Sequence, residues 1–204
     1  MQLDHGCLMA FAVLSAACSG PSMTPQDAPK SCPIGDLTST PEIELFQIGT
    51  DGTYVVIKPM DTIPLLQPPQ GGWVFYIAAH ARNVDGCQLQ LKTSLQDVCT
   101  NQVVTLESRA IVLEDDGTGW GVPINQSNDG LVAACPQIGL SRDLTGEPYL
   151  LRVVVTDSGG RHAEASVQVV PVCSDPYCLC QCGQNYHLGD NCASPADAGV
   201  SGCP

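Results

Sequence analysis

The 204-residue chain is poor in charge and especially in positive charge. Lys and Arg total 8 against 21 Asp and Glu, for a net charge of −13, and charged residues make up 14% of the chain. A groove that neutralises nucleic-acid phosphates needs clustered Lys and Arg, so nucleic acid is not an expected partner. So low a charge content also excludes a charge-rich disordered chain or a coiled coil. No segment shows four helical turns with an apolar stripe. Gly-x-Ser-x-Gly, His-Glu-x-x-His, a P-loop and a Gly-x-Gly-x-x-Gly turn leading into a helix are all missing. No nucleophile, base and stabiliser are seen to converge, so no catalytic residue is assigned and a non-enzymatic protein is expected. What the chain has in quantity is 12 Cys, 20 Gly and 16 Pro. That cysteine content suits an oxidising compartment.

The first apolar run, Gly6 to Ala17 (GCLMAFAVLSAA), is too short for a resident membrane helix and fits the hydrophobic stretch of a signal peptide. Ser15-Ala16-Ala17 places small residues where a signal peptidase cuts. Leu14-Ser15-Ala16-Ala17-Cys18 resembles a bacterial lipobox. That resemblance implies diacylglycerol on the Cys18 sulfur, acyl chains as the membrane partner, and an outer-membrane-anchored lipoprotein of the cell envelope, periplasmic or surface exposed. Parity agrees. Setting aside Cys7 and Cys18 leaves ten cysteines, an even number for disulfides: Cys32, Cys87, Cys99, Cys135, Cys173, Cys178, Cys180, Cys182, Cys192 and Cys203. The expected order is a signal peptide (1–17), a lipid-anchored flexible tether (18–40), a β-sandwich (41–172) and a cysteine-rich tail (173–204).

Residues 41–172 read as short strands with Gly, Pro and Asp between them. Trp73, Phe75, Ile77, Ala79 and Ala81 share one face of the strongest apolar strand. Val74, Tyr76, Ala78, His80 and Arg82 share the other. Gln88–Gln96 alternates cleanly, with Leu89, Leu91, Thr93 and Leu95 on its apolar face. Tyr149, Leu151, Val153 and Val155 alternate up to Asp157-Ser158-Gly159-Gly160, and Ala163, Ala165, Val167 and Val169 return from it. That is a hairpin with the residues a tight turn needs. The expected fold is an all-β, Ig-like antiparallel sandwich.

Two segments carry a family resemblance. GEPYLLRVVVTDSGGRHAEASVQVV resembles the last two strands of Ig-like and PKD-like modules of bacterial surface proteins. PPQGGWVFYIAAHARNVDGC, from Pro68 to Cys87, resembles a segment of uncharacterised surface lipoproteins of myxobacteria-like bacteria. The resemblance implies a sandwich fold and an envelope address, and no activity. The expected role is surface adhesion, recognition or envelope structure, with a protein or glycan as ligand.

The tail changes character. Six cysteines fall after Val172 among almost no aliphatic residues, so the segment needs staples. If the four body and six tail cysteines pair separately, 3 and 15 connectivities are open. Cys87 and Cys99 flank one strand and are expected to take different partners. Cys180 to Cys192 resembles the C-terminal half of an EGF module. A second functional reading is a metal-binding or redox accessory protein using this cluster, with Cys178, Cys180, Cys182 and His187 as soft ligands. Disulfides are the expected state, with no bound cofactor and no metal. Glu114-Asp115-Asp116 reads as a solvated turn. Trp73 is expected in the core, and Trp120, in a Gly-rich loop, at the end of the sandwich or as an exposed anchor.

Overall fold

Alternation dictates the strands. In the computed structural model, which describes residues 31–49, 51–125, 129–137, 140–192 and 203, thirteen strands and one short helix form among the described residues. They are β1 (Pro33–Ile34), β2 (Glu42–Ile48), β3 (Tyr54–Val56), β4 (Asp61–Pro64), β5 (Trp73–Arg82), β6 (Val84–Asp85) and β7 (Leu89–Asp97). Then follow β8 (Val103–Ile111), β9 (Leu113–Asp115), β10 (Gly121–Pro123), β11 (Gly130–Cys135), β12 (Tyr149–Thr156), β13 (His162–Val172) and α1 (Pro176–Gln181).

Two sheets carry the fold. One runs β4-β13-β12-β7-β8. The other runs β3-β2-β5-β10-β9, with β11 also paired to β5. All pairings are antiparallel except β4 with β13, which are parallel over Asp61–Pro64 and Val169–Val172. The chain therefore lays β2 on one sheet and β4 on the other, so its early part closes both. The apolar faces read from the sequence meet between the sheets. Phe75, Ile77, Ala79 and Ala81 of β5 face Leu89, Leu91 and Leu95 of β7 and Leu151, Val153 and Val155 of β12 in one buried cluster. Each of the larger side chains among them contributes about 1.5–3 kcal/mol on leaving water. The protein is an all-β sandwich with a disulfide-rich C-terminal segment.

The hairpin β12–β13 pairs Tyr149 with Val169 through Thr156 with His162. Its turn is set by Asp157. The Asp157 carboxylate accepts from Arg161 N at 2.9 Å and from Arg161 Nη2 at 2.6 Å, and Gly160 takes φ +80°, which a side chain would strain. Tyr149 is fully buried, and its hydroxyl donates to the Asp143 carbonyl at 3.1 Å. A tyrosine opening the penultimate strand and bonding back to upstream backbone is the corner seen in Ig-like sandwiches.

The described residues from Ser31 onward belong to one compact unit. Of residues 31–40, expected as the end of a tether, Cys32 and Ile34 are built into the fold while most of the others are exposed. β1 pairs with β6, and Cys32 N donates to Asp85 at 2.8 Å. Ile34 is 1% exposed, seated against Gly86 and Gly121, where a Cβ would collide with it. In the tail, Cys178 and Cys182 belong to the main buried cluster. The expected signal peptide (1–17), the lipidated Cys18 and the tether up to Lys30 lie outside the described residues. No helix of the described residues is long and apolar enough to cross a membrane.

Candidate functional site

Two places concentrate chemistry. The first is the outer face of the β5-containing sheet. Strand register puts Phe46 of β2 opposite Ala78, Glu44 opposite His80, and Glu42 opposite Arg82. The Phe46 and His80 rings stack with centroids 3.9 Å apart, and Tyr54 of the edge strand β3 meets His80 edge-on at 5.9 Å. Next along β5, the Arg82 guanidinium lies 4.8 Å from the centre of the Trp120 ring and pairs with Glu42 at 2.5 Å. Phe46, His80, Arg82 and Trp120 are each half-buried, and Tyr54 is exposed. Ala78 beneath them is fully buried, so the face is a covered layer, not a bare sheet surface.

Titratable groups on this face are perturbed. Burial lowers the His80 pKa, against the opposing charges of Glu44 and Asp116, so its imidazole is held toward the neutral form. Its Nε2 is buried without a hydrogen-bond partner. Asp129, just before β11, is 1% exposed. Burial raises its pKa to about 6, although the Tyr54 hydroxyl (3.3 Å) and the Arg109 charge pull the other way. Its Oδ2 also lacks a partner. Arg109 Nη1 donates to the Asp129 carbonyl at 2.6 Å. The Tyr54 phenol is raised by burial and by Asp129. Perturbed groups gathered beside half-exposed aromatics mark a candidate binding face.

The second place is the tail. Every described cysteine is bridged: Cys32–Cys87, Cys99–Cys203, Cys135–Cys182, Cys173–Cys178 and Cys180–Cys192. The body and tail sets do not pair separately. Cys99 and Cys135 each take a tail partner, and Cys87 and Cys99 take different ones. Helix α1 explains the tail pairing. Asp175 caps it by accepting from Tyr177 N at 2.7 Å, with proline in the first turn. Cys178 and Cys182 are four residues apart on one face, and Cys180 points elsewhere, to Cys192. The Cys178 and Cys182 sulfurs are 3.8 Å apart, and the sulfurs of Cys173, Cys178 and Cys182 all lie within 4.8 Å of one another. The soft-ligand set Cys178, Cys180, Cys182 and His187 is not brought together: Cys180 is bridged away, and the His187 side chain is 85% exposed beside Asp190.

The remaining sequence candidates fall into structural roles. Trp73 is buried, with Nε1 donating to Gln181 at 2.9 Å. Glu114-Asp115-Asp116 ends β9. Asp115 accepts from Gly117 N at 2.8 Å, and Asp116 accepts from Thr118 N and Oγ1 at 2.8 and 2.6 Å, so both carboxylates organise their own turn. His162 is exposed at the start of β13. Sequence reasoning missed Arg142, which is 1% exposed and pairs with Asp97 at 3.1 Å and Glu147 at 3.0 Å. It also missed Asp129. Each sits in a loop with no periodicity to reveal burial.

The fold and its bridges define a disulfide-stapled all-β sandwich. No family model and no curated protein matches the chain. Among solved structures it is similar to a β-glucosidase from Listeria innocua in complex with glucose (17% identity, TM-score 0.24, covering 65% of this chain and 16% of that one). The same enzyme with isofagomine gives 16% identity, a TM-score of 0.23, and 63% and 16% coverage. A mutant of it with laminaribiose gives 16%, 0.24, and 65% and 16%. The chain spans about a sixth of the enzyme's length, and likeness at these TM-scores carries no argument about fold or activity.

Proposed function

We propose that the chain is an exported, non-enzymatic lipoprotein, held in the envelope by acyl chains on Cys18, whose sandwich recognises a surface ligand through the outer face of the β5 sheet. The observation that carries the recognition reading is the gathering of Tyr54, Phe46, His80, Arg82 and Trp120 on one sheet face. Aromatic rings with polar edges suit a ligand that offers both ring faces and hydroxyls. A glycan is that kind of ligand, and a protein loop is the other outcome. Full pairing of the ten described cysteines supports export, and it gives Cys18 no partner among them. The acidic balance keeps the sandwich off anionic headgroups, leaving the acyl chains to hold it.

The test has two arms. Mass spectrometry of the exported protein is expected to find a chain that starts at acylated Cys18, and an unmodified Cys18 peptide removes the anchor. Purified protein is then applied to a glycan array and to envelope fractions, beside Trp120→Ala and Tyr54→Ala. Binding that drops at least about tenfold in both variants supports the face, since aromatic anchors of this kind each cost about 2 kcal/mol or more when truncated. Equal binding by all three removes it.

A second reading, a redox or metal-binding accessory protein, is favoured by one observation: the three tail sulfurs gathered within 4.8 Å of one another.

A further inference from the structure

Two disulfides of the tail touch one another. Cys135–Cys182 ties β11 to the C-cap of α1, and Cys173–Cys178 closes a five-residue step from the end of β13 into the same helix. The sulfurs of Cys178 and Cys182 belong to different bridges and lie 3.8 Å apart. Cys178 and Cys182 are fully buried and Cys135 is 5% exposed, whereas Cys173 is half-buried. The other three bridges have no such neighbour among the described residues.

We infer that Cys173–Cys178 is a thiol–disulfide exchange site that accepts electrons from a dithiol and passes the exchange to Cys135–Cys182. The inference deepens the redox reading of the tail and uses nothing from the recognition face. A dithiol thiolate attacks the sulfur of the less buried cysteine, Cys173, forming a mixed disulfide and expelling Cys178 as thiolate. That thiolate is already at van der Waals distance from Cys182. It attacks Cys182, the Cys135–Cys182 bond breaks, and Cys135 leaves as thiolate and takes a proton. The second thiol of the dithiol resolves the mixed disulfide and frees Cys173. One dithiol is oxidised to its disulfide. The protein ends with one bridge, Cys178–Cys182, in place of two, and with thiols at Cys135 and Cys173.

The product bridge is within reach by its Cα separation, with Cys182 at the C-cap drawing in to bring the Cβ atoms to bonding distance. Residues four apart on a helix have Cα atoms about 6 Å apart, within the roughly 4.4–6.8 Å a disulfide spans. Cys182 N donates to Cys178 O at 2.9 Å, so that turn is already helical. Exchange needs a thiolate held against a disulfide sulfur, and fixed proximity makes the internal step outrun attack from solution on the buried Cys135–Cys182 bond. The consequence is that electrons entering at the surface uncouple β11 from α1. The helix stays seated through Trp73 to Gln181 and Leu144 N to Cys182 O (3.0 Å), while Cys99–Cys203 becomes the remaining covalent link from body to tail.

The test is limited reduction of the full chain with dithiothreitol under native conditions, quenched by alkylation and mapped by tandem mass spectrometry. The expected two-thiol species carries label on Cys173 and Cys135 and a Cys178–Cys182 link. Label on Cys173 and Cys178 with Cys135–Cys182 intact would overturn the relay, as would first reduction at any other bridge. The double variant Cys173→Ser/Cys178→Ser removes the entry site and leaves Cys135–Cys182 in place. Its reduction is expected to be at least about tenfold slower than in the parent chain. An unchanged rate would equally overturn the relay. The mapping of the parent chain decides the matter without the variant should the variant fail to fold.

Discussion

Replacing Asp129 by Asn isolates the cost of a buried carboxylate. The side chain is 1% exposed, Oδ2 has no partner, and burial lifts its pKa from an ordinary 3.8 to about 6. Asn keeps an acceptor for the Tyr54 hydroxyl, and the Arg109 bond goes to the backbone carbonyl, so geometry is preserved. The sign follows from linkage. A raised carboxyl binds its proton more tightly in the folded state. The resulting stabilisation is complete below the unfolded value and is lost as pH rises through about 6. At about 1.4 kcal/mol for each tenfold change in proton affinity, the wild type should lose roughly 2–3 kcal/mol relative to Asp129→Asn between pH 4 and pH 7.5. Urea unfolding followed by far-UV circular dichroism, disulfides intact, measures both proteins at each pH. Taking the difference cancels the titration of the carboxylates they share. A difference constant to within about 0.5 kcal/mol over that range would refute the reasoning, because it would mean that burial does not govern this group.

Three further outcomes follow from buried polar groups. Arg142→Met strands Asp97 and Glu147 and is expected to cost about 3–5 kcal/mol in urea unfolding, with at least about 1 kcal/mol recovered when Asp97→Asn is added. Tyr149→Phe removes the bond to the Asp143 carbonyl and should cost about 1 kcal/mol with the fold intact by circular dichroism. The carboxylates Asp97 and Asp157 behave oppositely to Asp129: burial pushes each up, but hydrogen bonds from Ser141 and Cys99 to Asp97, and from Arg161 to Asp157, hold both below the usual range. Their stabilisation is present above the unfolded carboxylate value and is lost as pH falls through the lower folded one, so an acid titration below about pH 4 should show falling stability, and Asp157→Asn should flatten it.

The strands were legible because each carries its own period. Gln88–Gln96 and Tyr149–Val155 alternate, and alternation alone names the face that meets the core. What the period cannot show is what lies on the other face. Ala78 and Val74 read as outward residues, and they are outward. They are buried because Phe46, and Leu66 paired to Val74, cover them from elsewhere in the chain. Ile34 lies in a two-residue strand and has no pattern at all. Its burial depends on glycines at 86 and 121 that make room for it. Arg142 sits in a loop, and a charged loop residue reads as solvated until Asp97, Glu147 and the Pro148 carbonyl arrive around it. The number of disulfides was readable from parity. The partners were not, because Cys99 and Cys203 are 104 residues apart and spacing says nothing about contact at that range.

The same end of the sandwich that sequence spacing left unresolved is held several times over. Tyr149 and Arg142 fix the loop that enters β12, and the Arg142 guanidinium lies 4.6 Å from the centre of the Tyr149 ring. Asp143 of that loop accepts from Gln184 N at 2.9 Å, and the Leu144 N–H donates to Cys182. These contacts place the tail without any disulfide, so Cys135–Cys182 adds covalent security to a docking already specified by hydrogen bonds. A bridge that is redundant for position can be exchanged at little structural cost. That separates it from Cys32–Cys87, which closes the N-terminal segment that seats Ile34 in the core. If bridges differ in this way, removing Cys32–Cys87 should cost most of the roughly 2–5 kcal/mol usual for a native disulfide, and removing Cys135–Cys182 distinctly less, as read from urea midpoints of the two paired Cys→Ser variants. Equal losses would mean that the hydrogen bonds at the tail do not hold it unaided.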